Sequence, residues 1–93
     1  MIKDHLLDCA QKHTQNCGGT ITPEIIVLHY TAGGSLDGAV AWFQNPASSV
    51  SAHLVIGRDG SVVQCVPFNR RAWHAGASSY RGRPGVNGFS IGI

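Results

Sequence analysis

The strongest pattern along the chain is a run of apolar, largely β-branched residues, Glu24-Ile-Ile-Val-Leu-His-Tyr30, bounded by Pro23 and by Gly33-Gly34. An unbroken run of this length predicts a strand buried on both faces, ending on His29. After it, Leu36, Ala39, Val40 and Phe43 recur at helical spacing, with Ser35 placed to cap the start and Asn45-Pro46 to stop the helix. Leu54-Val55-Ile56 and Val62-Val63 with Cys65 then form two short apolar arms around Asp59-Gly60, a strong hairpin signal. The segment Pro67 to Gly88 mixes glycine, serine, arginine and aromatics and predicts an irregular loop, a length that is uncommon without a functional role. Phe89-Ser-Ile-Gly-Ile93 resumes strand character. Ahead of all this, residues 1–22 form a polar lead-in, with a short helix expected between Asp4 and His13 and ended by Cys17-Gly18-Gly19. The order strand, helix, hairpin, loop, strand predicts an α/β domain with a mixed central sheet and flanking helices, occupying 23–93.

Composition narrows the classes. Ninety-three residues hold one domain with a modest core. The chain is 43% hydrophobic and 13% charged, which argues against disorder. A net charge of +2, without an aromatic-interleaved basic stripe, gives no footprint for nucleic acid. No apolar stretch approaches the ~20 residues that span a bilayer. The start, Met1 to His13, carries charge through any would-be apolar segment, so no secretory signal is visible; cytoplasmic residence is the default expectation, with release by other means compatible. The three cysteines, Cys9, Cys17 and Cys65, are odd in number and form no C-x-x-C pair, a poor basis for a disulfide framework or a thiolate zinc site.

Candidate chemistry rests on the five histidines. His5 and His13 lie in the polar lead-in and read as solvated side chains. His29 ends a strand, where ligands of α/β sheets gather. His53 precedes Leu54-Val55-Ile56 and could be a core histidine hydrogen-bonded to a neighbour. His74, in Ala72-Trp-His-Ala-Gly76, lies in the long loop, where recognition residues concentrate. Three histidines so far apart in sequence could converge on a metal, but spacing alone does not bring them together, and no H-E-x-x-H, G-x-S-x-G or P-loop pattern is present.

Taken together, "IIVLHYTAG", "VSAHLVIGRDGSVVQCVPFNRRAWHAG" and "GRPGVNGFSIGI" resemble, in order and spacing, the zinc-dependent N-acetylmuramoyl-L-alanine amidases of the second type. That family includes phage endolysins, bacterial amidases that recycle anhydro-muropeptides, and animal peptidoglycan recognition proteins. The resemblance runs from Pro23 to the last residue. It implies an amidase/peptidoglycan-recognition fold, Zn2+ as cofactor and peptidoglycan or a muropeptide as substrate. The implied reaction is hydrolysis of the amide between the lactyl group of N-acetylmuramic acid and L-alanine of the stem peptide. His29 matches the first zinc ligand; Trp73, His74 and Asn87 match positions along the substrate groove. His53 matches a position that is not a ligand, so a structural or ligand-supporting role is implied. Some phage relatives carry a catalytic tyrosine just before that histidine; here the residue is Ala52, which groups the chain with members whose catalytic acid is a glutamate after the "SIGI" strand.

By the same resemblance that glutamate would follow Ile93, and the second and third zinc ligands would come later still. The 93 residues are therefore expected to be the N-terminal part of an amidase-type domain, inactive by themselves, with no catalytic acid of their own. A non-catalytic peptidoglycan-binding module or a pseudogene remnant is the alternative.

Overall fold

The computed structural model describes residues 2–30, 35–76 and 78–93. Its strands are β1 (Ile2–Lys3), β2 (Leu6–Leu7), β3 (Ala10–Gln11), β4 (Cys17–Thr20), β5 (Ile25–Val27), β6 (Leu54–Ile56), β7 (Val62–Gln64), β8 (Arg70–Ala72), β9 (Ser79–Tyr80), β10 (Arg83–Pro84) and β11 (Ser90–Gly92). The helix α1 (Leu36–Gln44) follows β5, and 3-10 turns occupy Pro46–Ser48 and Val86–Gly88. The mixed α/β class is as the sequence predicts.

Strands β3, β7 and β6 form a three-stranded sheet, β3 parallel to β7 and β6 antiparallel to it. The β6–β7 hairpin turns through Asp59-Gly60 as expected. Gly60 adopts a φ of 88° that a side chain would strain, and Asp59 Oδ1 accepts from Ser61 N at 2.9 Å. Helix α1 begins where Ser35 Oγ accepts from Gly38 N at 3.0 Å, and it ends at Asn45 before Pro46. Its apolar stripe of Leu36, Ala39, Val40 and Phe43 packs on Val55, Val63, Cys65, Val66 and Ala72, which form the core. Beside this layer, β4 pairs antiparallel with β8, and β11 pairs parallel with β5. The pieces are joined where His53 N donates to Gly92 O at 2.9 Å, linking the entry of β6 to β11.

Three local expectations are corrected. The helix expected between Asp4 and His13 is instead a run of short strands. Asp4 and His5, at φ of 54° and 66°, make the tight turn between β1 and β2. What overrides local helix preference is the buried amide of Gln64, whose Oε1 accepts from Leu7 N at 2.7 Å and whose Nε2 donates to His5 O at 3.2 Å. Cys17-Gly18-Gly19, expected to end a helix, lies within β4.

The β5 run is not buried on both faces. Ile26, Leu28 and Tyr30 are exposed, Tyr30 by 91%, while Ile25 and Val27 are half-buried. The alternation shows that, among the described residues, only the face of β5 carrying Ile25 and Val27 is partly covered. The Gly33-Gly34 pair lies outside the described residues. Finally, the stretch from Pro67 to Gly88 holds structure of its own: β8, the β9–β10 hairpin and a 3-10 turn. Strand β8 escapes a periodicity reading because two of its three residues are arginines, and its pairing with β4 is decided by a segment some fifty residues away.

Candidate functional site

At the carboxyl end of β5 the backbone ladder continues past the strand. Ile93 N donates to Val27 O at 3.0 Å and His29 N donates to Ile93 O at 2.7 Å. This holds the His29 backbone against the end of β11 while its side chain stays exposed. The residue stands on the wall of a cleft of about 690 Å³, which is also lined by Leu36 and Phe43 of α1, by Val50, and by Trp73, His74 and Asn87. A volume of this order suits a ligand larger than a metal ion or a single water.

The segment after β8 reaches the cleft because two side chains hold it. Ser51, fully buried, accepts from Trp73 N through its Oγ at 2.9 Å, and Ser51 N donates to Trp73 O at 2.9 Å. Asn87 Oδ1 accepts from His74 N at 3.2 Å and from Ala75 N at 2.9 Å. The His74 ring then faces His29, with His29 Nε2 and His74 Nδ1 2.9 Å apart and the ring planes inclined at 74°. On its other side His74 Nε2 lies 2.9 Å from Ser90 Oγ. Burial pushes the His74 imidazole down to about 4, helped by the neighbouring His29 and His53, so it is neutral at physiological pH.

His53 lies beneath, with no accessible surface. Its Nδ1 accepts from Gly92 N at 3.0 Å and its Nε2 donates to Arg70 O at 2.7 Å, which fixes the Nε2–H tautomer and ties β6, β8 and β11 together. Burial holds it below the usual histidine range, against the raising effect of the Arg70 carbonyl. Both nitrogens are taken.

The structure therefore brings together His29, Trp73, His74 and Asn87 around one cleft and sets His53 behind it. Sequence reasoning missed Ser51, Ser90 and Gly92. Gly92 was open to detection, since a glycine inside a strand marks close approach: a Cβ built there would stand 2.4 Å from His74 Cγ. Nothing local to Ser51 or Ser90 announces that either will be buried under the loop. Cys65 offers no nucleophile, because burial pushes its thiol up to about 11.

As a zinc site the donor set is partial. Among the described residues no three His, Cys, Asp or Glu side chains come together as a metal cluster. His29, exposed at the strand end, has its Nδ1 without a protein partner among those residues and suits one coordination position.

Residues 19–93 match the model of the N-acetylmuramoyl-L-alanine amidase family. The chain belongs to that family. Among amidase relatives, 1,6-anhydro-N-acetylmuramyl-L-alanine amidase AmpD of Citrobacter freundii is 68% identical over 44 residues, 47% of this chain and 24% of that protein. AmpD of Haemophilus influenzae is 34% identical over 111 residues, 98% of this chain and 60% of the relative. Among solved structures, a selenomethionine AmpD derivative superposes with a TM-score of 0.81 at 32% identity, over all of this chain and 64% of that one. This chain thus spans less than two thirds of these relatives. No helix among the described residues is long and apolar enough to cross a membrane.

Proposed function

We propose that this chain is part of a peptidoglycan amidase that acts on the bond between N-acetylmuramic acid and the L-alanine of the stem peptide. The observation that carries the reading is the single cleft shared by His29, Trp73, His74 and Asn87, in a chain whose family model matches residues 19–93. In this reading His29 contributes one zinc ligand. Trp73 offers an apolar ring to a sugar or peptide face, and Asn87 and the His74 ring line the groove beside it. His53 keeps β11 in register behind the site through its bonds to Arg70 and Gly92. A bound zinc supplies a water of lowered pKa and polarises the amide carbonyl. One imidazole is too few ligands for a catalytic zinc, which takes three protein ligands. The 93-residue chain alone therefore binds zinc weakly and does not turn over muramyl-L-alanine.

A second reading is favoured by the same contrast: the cleft is well formed while the donor set is partial. It is that these residues act as a muropeptide-binding module without catalysis. Incubating the purified chain with a muramyl-peptide, with and without zinc, and following both binding by calorimetry and cleavage by mass spectrometry separates the cases. Binding without cleavage, weakened by Trp73→Ala, is expected. Cleavage by the wild-type chain would overturn its predicted inactivity, and no binding under either condition would overturn the assignment of the cleft. Zinc-dependent binding lost in His29→Ala favours the enzyme reading, and binding indifferent to zinc favours the module.

A further inference from the structure

We propose that His74 is a positioning residue: it selects the Nε2–H tautomer of His29 and so leaves His29 Nδ1 as a bare electron-pair donor. The direction of the hydrogen bonds starts at a backbone carbonyl. Val86 O lies 2.7 Å from Ser90 Oγ in a fully buried setting. A carbonyl only accepts, and two buried oxygens at that distance without a proton between them repel, so Ser90 donates its one proton to Val86 O. Ser90 Oγ then meets His74 Nε2, 2.9 Å away, as an acceptor, and His74 carries its proton on Nε2. At a pH above the ordinary imidazole range, where the test is made, a histidine has one N–H, and His74 Nδ1 is then a lone pair. It faces His29 Nε2 at 2.9 Å, and that contact is attractive only when His29 holds its proton on Nε2.

Influence runs from His74 to His29 because His74 is the constrained partner. Its backbone N–H and that of Ala75 are held by Asn87 Oδ1. Its ring rests against the strand backbone at Gly92, so closely that a Cβ there would come within 2.4 Å of Cγ and 2.8 Å of Nδ1. His29 is exposed and, without this contact, would sample both tautomers as free histidine does. Fixing a ligand's tautomer through its second nitrogen raises metal affinity at the first. That consequence rests on the reading of His29 as a zinc ligand; the tautomer selection does not.

The test is a long-range proton–nitrogen correlation spectrum of the 15N-labelled, metal-free chain, which reports for each histidine which ring nitrogen carries the proton. Wild type is expected to show His29 with Nε2 protonated and Nδ1 bare. His74→Ala is expected to give a mixture of both His29 tautomers, and His74→Asn, whose amide oxygen offers an acceptor near the place of Nδ1, to restore selection. A purely structural role would move His29 in neither variant, or equally in both. If His74→Ala does not fold, Ser90→Ala takes its place: it keeps the ring, and selection should be lost at both His74 and His29. His29 protonated on Nδ1 in wild type, or unchanged selection in the folded variants, overturns the proposal. Zinc titration of the same samples separates it from the wider reading. A single imidazole binds zinc weakly, so the readout is the His29 Nδ1 resonance at a large excess of zinc: if His29 shows the expected tautomer and that resonance does not move, the ligand role fails and the positioning stands.

Discussion

Replacing Gly92 by alanine would put a methyl carbon 2.4 Å from His74 Cγ, 2.6 Å from Cδ2 and 2.8 Å from Nδ1, where ordinary contact begins at 3.4 Å. The clashing atoms lie at the root of the ring, so a rotation about the last bond does not relieve them, and the imidazole must retreat by about 1 Å. The backbone of His74 cannot follow freely, because Asn87 Oδ1 holds it and its neighbour. Overfilling a packed site of this kind costs about 1–3 kcal/mol. A retreat of that size also breaks the ring's hydrogen bonds to His29 and Ser90, at a net of about 1 kcal/mol for each bond lost. Gly92→Ala is therefore expected to destabilise the chain by about 3–5 kcal/mol, a large part of the stability of a small domain. Urea denaturation measures it, with Gly19→Ala as the control: that position lies in β4, has nothing within 4 Å of a built Cβ and has no positive φ. The control should fall within about 1 kcal/mol of wild type, on the stabilising side. If Gly92→Ala comes within about 0.5 kcal/mol of wild type with the His29 tautomer unchanged, the packing argument is wrong.

Protonation of His53 gives the second expectation. Its folded-state pKa lies below the ordinary 6.5, so the unfolded chain takes up a proton first as the pH falls. The contribution to stability is whole above 6.5 and is lost progressively below it, down to the folded-state value; a urea midpoint that stays flat between about pH 7.5 and 5 would contradict this. Ser35→Ala removes the oxygen that caps Gly38 N, and a loss of about 1 kcal/mol in thermal or urea unfolding is expected. Asn16 is buried, and its Nδ2 reaches the carbonyls of Phe43, Asn45 and Val50, closing the end of α1 and the turn after it. Asn16→Ala should cost about 2–3 kcal/mol, and a loss below about 0.5 kcal/mol would show that water replaces the amide.

Much of the fold could be read directly. Helix α1, its Ser35 cap and its Asn45-Pro46 stop, the β6–β7 hairpin with its Asp59-Gly60 turn, and the return to strand at Ser90 are each set by residues within a few positions of one another. Local sequence is sufficient there, because capping, helical spacing and turn chemistry act over short distances. Strand β5 was legible for the same reason, although it ends at Val27 and His29 lies two residues past it. Its exposure was not, since an apolar run does not say how many faces its neighbours cover.

Tertiary structure decided the rest. Residues 4–13 form a turn and two short strands instead of a helix because Gln64, far along the chain, offers its amide to Leu7 and His5. Strand β8 exists because β4 pairs with it. The site follows the same rule. His29 and His74 were each nameable from the sequence, but their 2.9 Å contact, the Ser90 and Val86 groups that orient it and the closeness of Gly92 depend on three segments meeting. A histidine's residue type is written in the sequence; which of its nitrogens carries the proton is decided by partners that only folding brings within hydrogen-bonding distance.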